Sequence, residues 1–321
     1  MTNWCDRPSA QQIHACRRDL DGERLRLDAA LALLMPAKSL EHSGATLWSH
    51  LIGTYEILTA WGASRDVCLA GALHSIYATQ YFPSPITSED RRSDVARTVG
   101  RRVEHLVHAF CTLDRQGIRD AAAIAASRSR RVRVAHHAFP GGMRLAAATV
   151  RDLRLVDLAN EVEQRQRLSA GPEPCLAALA RAYCEIGFAP VALPPGALAI
   201  GALEESVLLR SYTQGLVASK ERAPKLFAQC IAAVPCCAEP RLLLAASHLE
   251  AGRLGAAYAD SSTALAHLRG WASAWDTRVS LMAWELLALQ LMEAARRGDR
   301  KPPPIAGQVK ARVSRELAHL L

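Results

Sequence analysis

Apolar residues recur at intervals of three and four along nearly the whole chain, and that rhythm commits it to helices. Val95, Val99, Val103, Leu106 and Phe110 form one stripe, and Leu47, Leu51, Thr54 and Leu58 form another. The alternation of β-branched and polar residues that marks a half-buried strand is scarce. An all-α fold follows. The spacing predicts helices over 20–36, 45–61, 67–78 with Asp66 as N-cap, 89–112, 118–129 and 143–168, with a turn at Pro140-Gly141-Gly142.

A chain of 321 residues is long enough for about two cores. The composition changes between 187 and 202, where FAPVALPPGALAIG carries helix breakers. We place a domain of helices over 1–190, a second helical region over 202–298, and a linker, DRKPPPIAG, with a terminal helix 308–321. In the second region small residues fall at Ala245, Gly252, Ala257 and Ala264, counted in a 34-residue unit from Ala238. Residues 238–271 thereby resemble a tetratricopeptide unit, and the flanking stretches match in part. The resemblance implies helical hairpins that dock a protein partner or support a homodimer. Trp271, Trp275 and Trp284 are expected in its core or at an interface.

Half of the residues are hydrophobic, and no uncharged apolar run approaches the ~20 residues of a membrane span. The opening MTNWCDRPSAQQIHAC lacks the charged head and apolar stretch of a signal peptide, so a cytoplasmic protein is expected. Nine cysteines form no C-x-x-C pair, which argues for free thiols; Cys68, Cys111 and Cys184 sit among apolar helix residues. The excess of 39 basic over 31 acidic residues is largely arginine, clustered at 91–92, 101–102 and 128–133. No aromatic residues interleave with these clusters, which argues against nucleic-acid binding and leaves solvated helix faces as the plainer reading.

Three polar residues stand within strongly apolar helical sequence: His50 in HSGATLWSHLIGTYEIL, His74 in AGALHSIYAT and Asp157 in RDLRLVDLANEVEQ. An unpartnered polar group is costly there, and convergence on one cation would remove the cost. Imidazole and carboxylate suit Fe, Mn or Zn. Asp157, Asn160, Glu161 and Gln164 share one helical face, flanked by Leu153, Val156 and Val162, as expected for a polar line descending into a cleft.

The three stretches resemble, in order and over about residues 40–167, the HD superfamily of helical metal-dependent phosphohydrolases. More closely they resemble an HD-like family that reads HSG-x-TL-xx-HL-x-G-x-YE-x-L, AGLFHS-x-YGT and AN-xx-EQ. That resemblance implies an HD-like helical bundle, with His50, His74 and Asp157 as ligands of one divalent metal ion. Ser75 stands where HD enzymes carry the doublet aspartate. A hydroxyl is a far weaker ligand, which argues against two metal ions in one centre.

Around this centre, His42, Ser75, Tyr77, Asn160 and Gln164 are candidates for contact with a small-molecule substrate or with the ligands. Glu161 is the candidate base, and arginines of 91–102 are expected to steady phosphate charge. His105, His108 and the pair His136-His137 read as a solvated face and an exposed loop. The expected activity is hydrolysis of a small phosphoester or nucleotide-like substrate. An iron-dependent oxygenase and a non-catalytic scaffold are the alternatives.

Overall fold

Helix α2 (Leu47–Ala60) is the axis on which the histidine-bearing half is built. The structure, a computed structural model, describes residues 26–42, 45–125, 131–137, 139–168, 171–172, 175–188 and 196–315. A first helix, α1 (residues 26–33), and a 3-10 turn, Met35–Ser39, lead into the paired strands β1 (Glu41–His42) and β2 (Ala45–Thr46). Thr46 then caps α2, its hydroxyl accepting from the Ser49 amide at 3.2 Å, which satisfies an otherwise orphaned donor. The buried face of α2 carries His50, Leu51, Thr54, Ile57 and Leu58.

Helix α3 (Arg65–Leu73) crosses α2 at Gly71, where a Cβ would overlap Leu58 Cδ1, so the approach uses the space that glycine leaves. Then come α4 (Arg92–Val99), α5 (Arg101–Thr112), α6 (Arg115–Ala125), the hairpin of β3 (Arg131–Val134) with β4 (Met143–Ala146), and the long α7 (Ala147–Leu168). Helix α7 packs against α2, α3, α5 and α6, burying Leu153, Val156, Leu158 and Val162.

The second region is a succession of helices, each against the next. These are α8 (Leu176–Ile186), α9 (Ala202–Val217), α10 (Ala223–Ala233), α11 (Glu239–Glu250), α12 (Leu254–Trp271), α13 (Leu281–Arg297) and α14 (Pro304–Arg315). Ala245, Ala257 and Ala264 are fully buried between helices, and Gly252 turns the α11–α12 hairpin at φ 72°. Trp271, Trp275 and Trp284 are buried in this core.

One hydrophobic cluster runs through both regions. At the seam, the Trp61 indole donates to the Trp271 carbonyl at 3.0 Å, and the Tyr183 ring stands edge-on to Trp61 and stacks on Trp271. From α7, Arg165 donates to Ser273 Oγ and the Ala274 carbonyl at 2.8 and 2.7 Å, and Gln166 donates to the Ala272 carbonyl at 3.2 Å.

Several sequence expectations are corrected. The predicted helix 89–112 is two helices, broken at Gly100, whose φ of 102° is open to glycine and costly for other residues. The predicted helix 67–78 starts and stops earlier. Ser64 is its N-cap and Asp66 lies in its first turn, while the chain leaves the helix at His74 and Ala78 takes a φ of 74°. Residues 143–146 are a strand, paired with Arg131–Val134 around the expected Pro140-Gly141-Gly142 turn. There Gly142 is obligatory, since a Cβ would stand 2.5 Å from the Val134 carbonyl oxygen.

The terminal helix starts at Pro304, inside the predicted linker; residues 316–321 lie outside the described portion. The start of the first predicted helix and residues 189–195 of the breaker segment also lie outside it. Cys184 is exposed rather than packed, while Cys68 and Cys111 are buried; the seven described cysteines are free thiols. Among the described residues no helix is long and apolar enough to cross a membrane.

Candidate active-site cavity

His50 and His74 meet with their Nε2 atoms 3.2 Å apart and their rings nearly perpendicular. They reach that position from different elements: His50 from the middle of α2, and His74 from the C-cap of α3. Each ring is held from behind. His74 Nδ1 donates to the Gly71 carbonyl at 2.7 Å, and His50 Nδ1 donates to the carboxylate of Glu163 on α7. A glycine serves each anchor. Gly71 brings α3 onto α2, while at Gly53 a Cβ would stand 2.8 Å from Glu163 Cγ and block its path to His50.

This arrangement fixes the protons. A carbonyl accepts only, so neutral His74 carries its hydrogen on Nδ1 and turns a lone pair outward at Nε2. His50, donating from Nδ1 to Glu163, does the same. Two acceptor nitrogens so placed are reconciled by a proton between them or by a cation. Two imidazole ligands on one tetrahedral ion, at bond lengths of ~2.0 Å, stand about 3.3 Å apart. Anchoring of the distal nitrogen by a carboxylate or carbonyl is also what metal-bound histidines require. The pair therefore fits a divalent cation.

Both histidines open on a cavity of about 260 Å³, lined also by Ser75, Thr79, Tyr81, Phe82, Arg115, Arg119, Asp157, Asn160, Glu161 and Gln164. The polar stripe of α7 forms one wall of this space, with all four of its members on it. Asp157 is buried and bound by guanidinium groups: Arg154 at 2.7 Å, Arg119 at 3.0 Å and Arg115 at 3.3 Å. Glu161 pairs with Arg119 at 2.5 Å and Arg154 at 3.2 Å. Burial, with Asp157 alongside, raises the Glu161 pKa against the pull of those arginines. Burial also lowers the pKa of Arg115, more than Asp157 restores it.

Among the described residues no three His, Cys, Asp or Glu side chains stand close enough to share an ion as placed. The two histidines meet; Asp157 shares their cavity with its carboxylate engaged by arginine. Tyr77 is off the cavity, buried edge-on to the His108 ring at 6.1 Å. His42 lies in β1, and its side chain is outside the described portion. His105 and His137 are exposed, and His108 and His136 half-buried.

None of the arginines of 91–102 lines this cavity, and four of the five are paired elsewhere. Arg92 pairs with Glu104 at 2.5 Å, Arg91 and Arg97 pair with Asp94, and Arg102 pairs with Asp66 and Asp152. Among the described residues, the cationic ones on the cavity are Arg115 and Arg119 of α6. Sequence reasoning missed them because α6 reads as an ordinary amphipathic helix. Glu163 was missed as well, although the AN-xx-EQ motif contains it.

Compared with known proteins, the chain gives no match among curated proteins and none among solved structures. Residues 33–115, from the end of α1 to the first residue of α6, match a family described as a domain of unknown function (DUF6817). The matched stretch holds His50, His74 and Arg115, and it stops before α7.

Proposed function

We propose that this cavity is the active site of a metal-dependent hydrolase of HD-like type acting on a small phosphoester. The observation that carries the reading is the His50–His74 pair, with both Nε2 atoms directed together and both Nδ1 atoms anchored. His50 and His74 would hold one divalent cation. Asp157 is the carboxylate that the HD resemblance adds; a carboxylate offers about four acceptor directions, and three guanidinium contacts leave it one. A bound divalent cation supplies a water of lowered pKa and polarises a phosphoryl oxygen.

The chain's own groups do the rest. Glu163 and the Gly71 carbonyl keep both imidazoles in the tautomer that offers Nε2. Asn160 and Gln164 present amides to the substrate along the α7 wall. Glu161, on that wall and raised in pKa by burial, is placed to take a proton from the attacking water. A cavity of about 260 Å³ is below the ~300–1,000 Å³ of sites for drug-sized ligands, which favours a compact substrate over a whole nucleotide.

The test is elemental analysis of protein purified without added metal, beside His50→Ala and His74→Ala. Near-stoichiometric manganese or zinc, lost in both variants, with phosphate release from small phosphoesters, supports the proposal. Iron in its place would turn the reading toward oxygen chemistry. Absence of any metal after reconstitution would overturn it and leave a binding scaffold.

A further inference from the structure

Arg115 is a cation buried with too few acceptors. It is 5 % exposed, and its guanidinium lies 3.3 Å above the Phe110 ring. Of the five N–H donors an arginine carries, one makes a hydrogen bond among the described residues, the 3.3 Å contact to Asp157. Its Nε is buried with no partner among the described residues. Burying a charge is tolerated when it is paired and hydrogen-bonded, and Arg115 meets that condition only in part.

Its surroundings are cationic on balance. Arg115, Arg119 and Arg154 face two carboxylates, Asp157 and Glu161, leaving one positive charge in excess. Asp157 holds the three guanidinium groups side by side, and two of their residues, Arg115 and Arg119, line the cavity that the histidines enter. Paired guanidinium forks match the oxygens of a phosphoryl group in geometry and charge.

We propose that Arg115 and Arg119, braced by Asp157, form a phosphoryl-binding subsite on the wall of the cavity, taking up the oxyanion of the ligand. The inference rests on the cavity being a small-molecule site, but it does not depend on a metal. Free phosphate and a phosphoester share the chemistry that this wall recognises.

The experiment is calorimetric titration of inorganic phosphate into the full chain in the presence of a chelator. Arg115→Lys keeps the charge and loses the fork; Arg119→Gln removes a charge at a side chain that is 38 % exposed, so it threatens the fold least. Arg102→Ala, a charge removed away from the cavity, is the control. Circular dichroism checks that each variant is folded. The expected result is saturable binding by the wild type, at least tenfold weaker binding by Arg115→Lys and Arg119→Gln, and unchanged binding by Arg102→Ala. A wild type that does not bind phosphate, or equal weakening in all three variants, would overturn the subsite. So would folded Arg115→Lys and Arg119→Gln proteins that bind as well as the wild type. Because the titration is run without metal, its failure leaves the metal assignment standing. Loss of that assignment likewise leaves the titration informative.

Discussion

Gly53 and Glu163 compete for one space, since a methyl group on the glycine would stand 2.8 Å from Glu163 Cγ and 3.1 Å from its Oε1. The carboxylate reaches His50 because residue 53 has no side chain. Gly53→Ala should therefore displace Glu163 and leave the His50 ring without its anchor. Removal of such an outer partner weakens metal affinity by about 10–100-fold. Metal retention measured during dialysis, with a melting curve to show that the fold survives, would check this; full retention would deny Glu163 its role.

A second glycine tests how closely α3 packs on α2. Gly71→Ala drives a methyl group into Leu58, and overpacking of this kind costs about 1–3 kcal/mol. Urea unfolding should show the loss. Combining it with Leu58→Ala should cost less than the sum of the two single changes, because the second mutation opens the space that the first one fills.

Arg278 and Asp276 form a buried pair in the second region. Arg278 donates to Asp276 at 2.8 and 2.6 Å and to the Val313 carbonyl of α14 at 2.6 Å, while the Tyr212 hydroxyl donates to Asp276 at 2.8 Å. Arg278→Met strands a buried carboxylate and should cost about 3–5 kcal/mol in chemical denaturation. It should also loosen α14, read as faster amide exchange there.

His267 gives the chain a pH dependence. Burial, helped by Arg241, pushes its pKa down to about 4. The unfolded chain takes up this proton near pH ~6.5 and the folded chain only near the lowered value, so protons favour unfolding. The contribution is complete above the unfolded pKa and is lost as pH falls toward 4, a span worth roughly 3 kcal/mol at most. His267→Phe should flatten the stability profile across that window relative to wild type. Parallel profiles would show that other groups govern it.

The helices were legible because their stripes are long, whereas their breaks were not. The valine stripe keeps its phase across Gly100, with Val95, Val99 and Val103 all buried, so nothing in the apolar pattern marks the interruption. Helix α3 ends at Leu73 while its sequence is still apolar, and the turn that follows, with Ala78 at a φ of 74°, is not announced by composition. The strands of the β3–β4 hairpin span four residues each, too short to compete with an arginine-rich reading.

In the site, His50, His74, Asp157, Asn160, Glu161 and Gln164 could be picked out as polar residues in apolar helices, and Ser75 through the HD resemblance; the fold gathers them on one cavity. The partners of Asp157 could not. Arg115 and Arg119 lie 42 and 38 residues from it in the chain, and only tertiary packing brings them there. Glu163 lies on a different face of α7 from the 157–164 stripe, turned toward α2, so periodicity pointed away from it.

The seam between the regions also governs the order in which the protein can mature during synthesis. Glu163, which orients His50, is followed at once on α7 by Arg165 and Gln166, whose acceptors are Ala272, Ser273 and Ala274. A nascent chain has translated both histidines and the whole of α7 more than a hundred residues before those acceptors leave the ribosome. Until then the end of α7 and the Trp61 indole lack their native partners. The histidine-bearing half is thus written first and finished last, and a chain halted before residue 272 carries every proposed site residue without the buttress behind them.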